Sequence, residues 1–265
     1  RASLDEDAEQ QVYPIKKSSS LPLKEESPEE KCEKGATAVC ASLGTQYEKG
    51  IEVEKDVEKA IQYYLKACEQ DHVLACSNLG SLYIRNKEAE KALPLLEKAC
   101  EAKEAYACNS LGYLYERGLA VERDLEKAKN LYQSACDQEY IKACKNIGTL
   151  YSRGLIQSAD STKAAWFFEK ACTGGEMTAC NYLGYVAENA MGIEKDLSLA
   201  KEMYEKACDA SIAEACSNLA FLYREGLGVS SNVQKATALY QKACDGGYQK
   251  ACTLQGKQGI EEEQK

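Results

Sequence analysis

Fourteen cysteines fall into seven pairs along the chain, and every pair has the spacing C-x7-C. The pairs recur every 36 residues, except that the second and third lie 32 residues apart. Within one continuous helix, residues eight apart are separated by about 12 Å, whereas a disulfide allows at most about 7 Å between Cα atoms. Each pair is therefore expected to lie across a helix-turn-helix corner. The pairs are Cys32 and Cys40, Cys68 and Cys76, Cys100 and Cys108, Cys136 and Cys144, Cys172 and Cys180, Cys208 and Cys216, and Cys244 and Cys252.

The chemistry of these pairs favours disulfides over metal sites. Zinc sites combine short C-x2-4-C and H-x3-5-H elements, and the sole histidine, His72, can serve only one site. We therefore expect no metal and no cofactor. Closing one nine-residue loop removes roughly 2.6 kcal/mol of unfolded-state entropy in the chain-entropy model. Bridges that persist require an oxidising compartment, which predicts a secreted or periplasmic protein.

The residues between the pairs predict seven copies of a two-helix repeat of roughly 36 residues. A small residue stands four positions after the second cysteine of each pair, and a recurring glycine inside a helix indicates close approach of a neighbouring helix. The second helix of a repeat is expected to begin at an N-cap residue such as Asp56, Asp124, Asp160 or Asp196. The small residues are Gly44, Gly80, Gly112, Gly148, Gly184, Ala220 and Gly256.

Two motifs connect this repeat with known families. The pattern L-G-x-x-Y followed by A-x3-Y/F-x2-A resembles the tetratricopeptide repeat, and the G-x-G-V loop at residues 226–229 is similar to that of Sel1-like repeats. The pattern K-A-C-[DE]-x6-C, as at residues 206–216, resembles the Helicobacter cysteine-rich protein family. The resemblance covers about residues 32–256.

The resemblance implies an all-α fold, namely an α/α right-handed superhelical solenoid. In such a solenoid each bridge ties the second helix of one repeat to the first helix of the next. It also implies a secreted or periplasmic protein and, as an alternative to a binding scaffold, a penicillin-binding protein with weak β-lactamase activity.

The sequence itself contains no complete catalytic motif for that alternative. Serine β-lactamases combine S-x-x-K, S-x-N and K-[ST]-G, because the serine nucleophile needs a base and an oxyanion site. The chain has one S-x-x-K, from Ser198 to Lys201, and one S-x-N, from Ser230 to Asn232, but no K-[ST]-G. His72 is interpreted as an exposed residue of a corner. The catalytic residues therefore stay unassigned.

Tetratricopeptide geometry would place the first helix of each repeat on a concave surface. The residues two and five positions after the second cysteine would then point into a groove, and their amides and aromatic rings suit an extended peptide. A protein, a peptidoglycan fragment or a β-lactam are the other ligands considered. The residues of these two columns that we select are Asn78, Asn146, Asn218, Tyr113, Tyr185 and Phe221.

A third column, nine positions after the second cysteine, is basic in the first four repeats. It contains Lys49, Arg85, Arg117 and Arg153, before Asn189 and Glu225. These basic side chains can bind carboxylates in the groove. Alternatively, they only complement the macrodipole at the end of a helix. The spacing leaves both interpretations open.

Charge and composition limit the remaining partners and the ends of the chain. The net charge of −9 is distributed among interleaved acidic and basic residues, which argues against nucleic acid. Every apolar run is shorter than a membrane span, which needs about 18 to 20 residues. We also expect the protein to be a monomer. Residues 1–31 are expected to form a disordered linker from which a signal peptide has been removed, and residues 257–265 a polar C-terminal cap.

Overall fold

The computed structural model describes residues 26–154, 156 and 160–254, and all regular secondary structure in these residues is α-helical. A short helix precedes a series of helix pairs, and residues 249–254 begin one more helix. The helices are α1 (Pro28–Glu33), α2 (Thr37–Lys49), α3 (Val57–Glu69), α4 (Val73–Arg85), α5 (Ala89–Glu101), α6 (Ala105–Arg117), α7 (Leu125–Asp137), α8 (Ile141–Ser152), α9 (Ser161–Thr173), α10 (Met177–Glu188), α11 (Leu197–Asp209), α12 (Ala213–Glu225) and α13 (Val233–Asp245).

Among the described residues the pairs form six complete repeats, each made of an A helix and a B helix, where the sequence predicted seven copies. The A helices are α2, α4, α6, α8, α10 and α12, and the B helices are α3, α5, α7, α9, α11 and α13. Each A helix packs against the B helix that follows it, and each B helix packs against the next A helix. The chain is therefore an all-α solenoid of tandem helix pairs, as predicted. No described helix is both long enough and apolar enough to cross a membrane.

The seven predicted disulfides are present at the corners between B and A helices. Their Cα–Cα distances lie between 4.6 Å and 4.9 Å. Cys136 in the last turn of α7, for example, is bonded to Cys144 in the first turn of α8. Five bridges tie one repeat to the next, whereas Cys32–Cys40 ties α1 to α2 and Cys244–Cys252 ties α13 to the helix that begins at residue 249. Because all fourteen cysteines are paired, none is available as a free thiol.

The small residues of the A helices allow the B helices to approach closely, as the sequence predicted. A Cβ atom added to Gly112 would lie 2.8 Å from a ring carbon of Tyr132 on α7. The same clash would occur between Gly148 and Phe168, at 2.7 Å. Contacts this short do not occur between real side chains, so an alanine at either position would require the facing ring to shift.

The predicted N-cap residues also have the expected role. Asp124 accepts a hydrogen bond from the backbone N–H of Lys127 at 2.8 Å, and Asp196 accepts one from that of Leu199 at 2.9 Å. These bonds satisfy N–H groups that have no partner inside the helix. Equivalent bonds are made by Asp56, Asp160 and Asn232.

At the N-terminal end the first helix begins at Pro28, inside the segment expected to be a linker. Ser27 and Glu30 form a capping box there, in which each side chain accepts a hydrogen bond from the backbone N–H of the other. The rest of the expected linker, residues 1–25, lies outside the described residues. So does the expected C-terminal cap, residues 257–265.

Candidate functional site

The A helices form the inner, concave layer of the solenoid. Helix α4 contacts both α2 and α6, the A helices of the neighbouring repeats. Hydrogen bonds also join A helices directly: the amide of Asn146 donates to Oδ1 of Asn109, and that of Asn218 donates to Oδ1 of Asn181, both at 2.9 Å. Because the A helices approach one another across repeats, they line the inside of the curve.

Behind this surface, a tyrosine of the B helix meets a glutamate of the A helix in three repeats. The hydroxyl of Tyr132 donates to Oε2 of Glu116 at 2.7 Å, and that of Tyr204 donates to Glu188 at the same distance. Tyr64 and Glu48 make the same contact in repeat 1.

The surroundings of these hydroxyls make them poor acids. Burial raises the pKa of Tyr132 and Tyr204 well above its ordinary value, and the accepting carboxylates raise it further. The hydroxyls therefore stay protonated donors, and the tyrosine–glutamate pairs connect the two helix layers.

Repeat 2 lacks this pair, because Ile84 and Leu96 occupy the two positions, and repeat 4 lacks it as well. Ser152 replaces the glutamate, and Phe168 replaces the tyrosine. Ser152 donates its hydroxyl to the carbonyl of Thr149 at 3.1 Å, one turn back in its own helix. Phe168 remains buried and packs against the ring of Tyr182, with 5.1 Å between ring centroids. Both the carboxylate and the hydroxyl are thus missing from the same place.

At this place the concave surface has a cavity of about 480 Å³, which we call the repeat-4 cavity. Its floor includes Phe168, Val186 and Met191. The side chain of Tyr185 on its wall is 50% exposed. Polar groups at its edge include Arg153, Asn181, Glu214 and Asn218. The arrangement combines an apolar floor with charged and amide groups around it, as ligand sites commonly do.

A smaller cavity of about 200 Å³ lies between repeats 1 and 2, and we call it the repeat-1 cavity. Glu48 and Tyr64, which form the tyrosine–glutamate pair there, both line it. Glu48 is also paired with Arg85 of the next repeat. The repeat-1 cavity is therefore polar, and its charges are largely neutralised within the protein.

The structure distributes the residues of the predicted groove over both cavities and the surface between them. Asn78 and Arg85 line the repeat-1 cavity. Arg153, Tyr185 and Asn218 line the repeat-4 cavity. All five lie on the A-helix side or at the end of an A helix. Their role in binding stays a prediction.

The other predicted groove residues are engaged with neighbours on the same surface. The guanidinium of Arg117 lies over the ring of Tyr113 at 5.7 Å, and Phe221 is covered by Arg224 at 5.4 Å. Asn146 is bonded to Asn109. These side chains are partly held in place before any ligand arrives.

The groove residues that we selected from the sequence do not include several residues that line the repeat-4 cavity. Tyr182 occupies the same column as Asn78 and could have been found there. Tyr248 lies in the corner before the last described helix, where only an inter-repeat contact brings it to the cavity. Phe168 is the aromatic residue of the A-x3-Y/F-x2-A pattern in repeat 4, and nothing in its own repeat shows that it lines a cavity.

The serine and histidine candidates occupy ordinary helix positions. Ser198 is exposed on α11, and Lys201 is paired with Glu205 at 3.2 Å rather than with the serine. Asn232 caps α13. His72 is the N-cap of α4, and its Nδ1 accepts from the N–H of Ala75 at 3.2 Å, so it is a half-buried cap rather than an exposed corner residue.

The fold and the concave surface define an α/α solenoid of the class that acts as a protein-interaction scaffold. The Sel1 repeat model matches residues 38–72, 73–103, 105–140, 141–176, 178–211 and 213–248. The chain belongs to the Sel1 repeat family. No curated protein sequence matches it.

Three solved structures illustrate this similarity. A Sel1 repeat protein from Oxalobacter formigenes is 27% identical with a TM-score of 0.73, and the match covers 82% of this chain and 87% of that protein. A protective antigen of uropathogenic Escherichia coli, c5321, is 23% identical with a TM-score of 0.76. The match covers 86% of this chain, which spans only 50% of the antigen. Helicobacter pylori cysteine-rich protein B is 31% identical over 50% of this chain and 95% of its own, with a TM-score of 0.41.

The resemblance to the cysteine-rich proteins is therefore confirmed in sequence. Seven structural bridges in one chain indicate an oxidising, extracytoplasmic compartment, because reducing compartments keep cysteines as thiols.

Proposed function

We propose that the protein is a secreted or periplasmic scaffold that binds an extended peptide segment of a partner protein along its concave surface. The observation that carries this proposal is the repeat-4 cavity, with the half-exposed ring of Tyr185 on its wall. An aromatic side chain at the edge of a cavity offers a large contact area at little entropic cost, as binding hot spots do.

The polar groups of the concave surface suit a peptide backbone. Asn218 lies at the cavity and donates one amide N–H to the buried Asn181, while its Oδ1 accepts no hydrogen bond from the described residues. An extended peptide offers N–H and C=O groups at regular intervals, so it can satisfy such amides along the solenoid.

The disulfides support binding by keeping this surface in one shape. The bridges Cys136–Cys144 and Cys172–Cys180 join repeat 4 to its two neighbours, and the repeats are the units that would otherwise move relative to each other. A preorganised surface loses less conformational entropy when a ligand binds.

Selection of random peptides displayed on phage, with the oxidised protein as bait, tests this proposal. Enriched peptides are synthesised, and their Kd is measured by fluorescence polarisation. Tyr185→Ala should weaken binding by about tenfold or more, as removal of a hot-spot aromatic does. The matched control is Trp166→Ala, which removes an aromatic that is 54% exposed on the B helix α9.

The control variant should bind with unchanged Kd. Absence of any enriched peptide, or equal weakening by Tyr185→Ala and Trp166→Ala, would contradict binding on the concave surface.

A further inference from the structure

We propose that the repeat-4 cavity selects peptides in which an apolar side chain lies next to a carboxylate. This inference rests on the proposed function and specifies its ligand. It follows from the paired replacement of tyrosine by Phe168 and of glutamate by Ser152, and from the charge of Arg153 beside them.

The replacement removes a glutamate that repeats 1, 3 and 5 place next to the tyrosine ring. In repeats 1, 3 and 5 the glutamate carboxylate accepts a hydrogen bond from the tyrosine hydroxyl. Ser152 is too short to do so, and its hydroxyl is bonded to its own helix. Phe168 is nevertheless held in the same position against Gly148, at the same close distance as the tyrosines. The fold of repeat 4 is thus kept, while the tyrosine–glutamate hydrogen bond is absent.

The repeat-4 cavity can accept an apolar side chain. Phe168, Val186 and Met191 line it, and none of them carries a polar atom that needs a hydrogen bond. Its volume of about 480 Å³ falls within the range of about 300 to 1,000 Å³ that ligand sites occupy. Burying an aromatic or branched aliphatic side chain there would remove apolar surface of both molecules from water.

A positive charge without a described acidic partner lies at the edge of the cavity. In repeat 1 Glu48 is paired with Arg85 of the next repeat, and the equivalent residues of repeats 3 and 4 are Glu116 and Arg153, which form no ion pair. Repeat 4 has Ser152 before Arg153, and no described acidic side chain is paired with Arg153. Its guanidinium can therefore donate charge-assisted hydrogen bonds to a carboxylate of the ligand.

The opposite side of the cavity is acidic. Glu214 lines it and accepts only a long hydrogen bond from the amide of Asn181, at 3.3 Å. Glu188, at the end of the next A helix, is followed by Asn189 instead of a basic residue. A ligand carboxylate is thus attracted to the Arg153 side and repelled from the other, which fixes the direction of the peptide.

The decisive variant restores in repeat 4 the pair that repeats 1, 3 and 5 contain. Ser152→Glu combined with Phe168→Tyr should form the tyrosine–glutamate hydrogen bond, occupy the space next to the ring at position 168 and place a carboxylate in the cavity that Arg153 also lines. Because the chain already tolerates this pair in three repeats, the variant is expected to fold. The matched control is Tyr132→Phe in repeat 3, which removes one tyrosine–glutamate hydrogen bond, keeps the charge of Glu116 and changes no residue that lines the cavity.

The probes are four fluorescein-labelled hexapeptides with alanine at all other positions. Three have amidated C-termini and contain adjacent Asp and Phe, adjacent Lys and Phe, or adjacent Asp and Ala. The fourth ends in Phe with a free carboxylate. We expect the Asp–Phe peptide to bind wild type about tenfold or more tightly than the Lys–Phe and Asp–Ala peptides.

We also expect the restored-pair variant to bind the Asp–Phe peptide about tenfold or more weakly, and the repeat 3 control to bind it as wild type does. Comparison of the Asp–Phe peptide with the free-carboxylate peptide identifies whether a side chain or a chain end supplies the carboxylate. Equal binding of the Lys–Phe peptide, or an unchanged Kd of the restored-pair variant, overturns the inference.

The two proposals fail separately. Peptides from the phage selection can bind in a Tyr185-dependent manner without a preference for an apolar side chain next to a carboxylate. In that case the proposed selectivity is wrong, and the proposed scaffold function stands. If no peptide is enriched at all, the proposed function fails and this inference fails with it.

Discussion

The hydroxyl of Tyr132 donates to Oε2 of Glu116 at 2.7 Å, across the interface of the two helices of repeat 3. The same contact recurs in repeats 1 and 5. In repeat 6 the position of the glutamate is occupied by Arg224, and the buried hydroxyl of Tyr240 has no hydrogen-bond partner among the described residues. The chain thus contains buried tyrosine hydroxyls that donate to a carboxylate, and one at the equivalent position that has no described hydrogen-bond partner.

Removing the two hydroxyls should therefore have unequal effects on stability. Tyr132→Phe should lower the free energy of unfolding by about 1 kcal/mol, because Glu116 loses its donor. Tyr240→Phe should change it by less than about 0.5 kcal/mol or raise it, since the lost hydroxyl has no described partner. Urea denaturation of the oxidised proteins measures both values, and equal losses would contradict the role of the carboxylate.

The close approach of the helices predicts whether a second substitution, Gly112→Ala, raises or lowers the free energy of unfolding. Helix propensity alone would make Gly112→Ala stabilising by about 1 kcal/mol. The added Cβ would lie 2.8 Å from the ring of Tyr132, so we expect a net loss of about 1 to 2 kcal/mol instead. Asn130→Ala, on the exposed face of α7, is the control and should be neutral or slightly stabilising. A gain in stability for Gly112→Ala would show that the ring moves away freely.

The disulfides should differ in their sensitivity to reduction. Cys244 and Cys252 are both half-buried, whereas every other bridge has at least one buried partner. Because thiol–disulfide exchange requires access to sulfur, mild reduction should open the bridge between Cys244 and Cys252 first. Alkylation during stepwise reduction, followed by peptide mass analysis, gives the order. Earlier opening of a buried bridge, such as that of Cys136, would be inconsistent with control by access.

The compartment can be tested on protein taken from its native source. Protein alkylated before reduction should show no modified thiol, and its mass should rise by about 14 Da on reduction, two hydrogens for each of seven bridges. Fourteen alkylated thiols would place the chain in a reducing compartment and rule out the secreted or periplasmic location.

The buried tyrosines predict how stability depends on pH. Burial, and next the nearby Tyr106, raise the pKa of Tyr140 to about 12 from its ordinary value of 10.0. The folded state therefore keeps this proton when the unfolded state releases it. The contribution is complete below about pH 10 and is lost as the pH rises to about 12. Urea midpoints measured across this range should fall, and less steeply for Tyr140→Phe; an identical fall in that variant would assign the effect to other groups.

Much of the architecture could be predicted from the sequence because the same local interactions, namely disulfides, helix caps and close helix packing, recur from repeat to repeat. The C-x7-C spacing predicted the position of every corner and the partner of every cysteine. Two cysteines eight residues apart can form a disulfide only if a turn lies between them, because in one helix their Cα atoms are too far apart. Asp124 and Gly112 were assigned correctly because capping and close approach require particular residue types at particular positions.

The candidate site was only partly accessible in this way. Periodicity shows that Ser152 is equivalent to Glu116, but it does not show that Glu116 reaches a tyrosine sixteen residues later. It also could not show that Arg85 is paired with Glu48 of the preceding repeat, whereas Arg153 has no such partner. Those contacts depend on how far and at what angle one repeat is placed on the next. Side-chain spacing within a helix does not contain that information, so the tertiary structure alone decided which columns meet in the repeat-4 cavity.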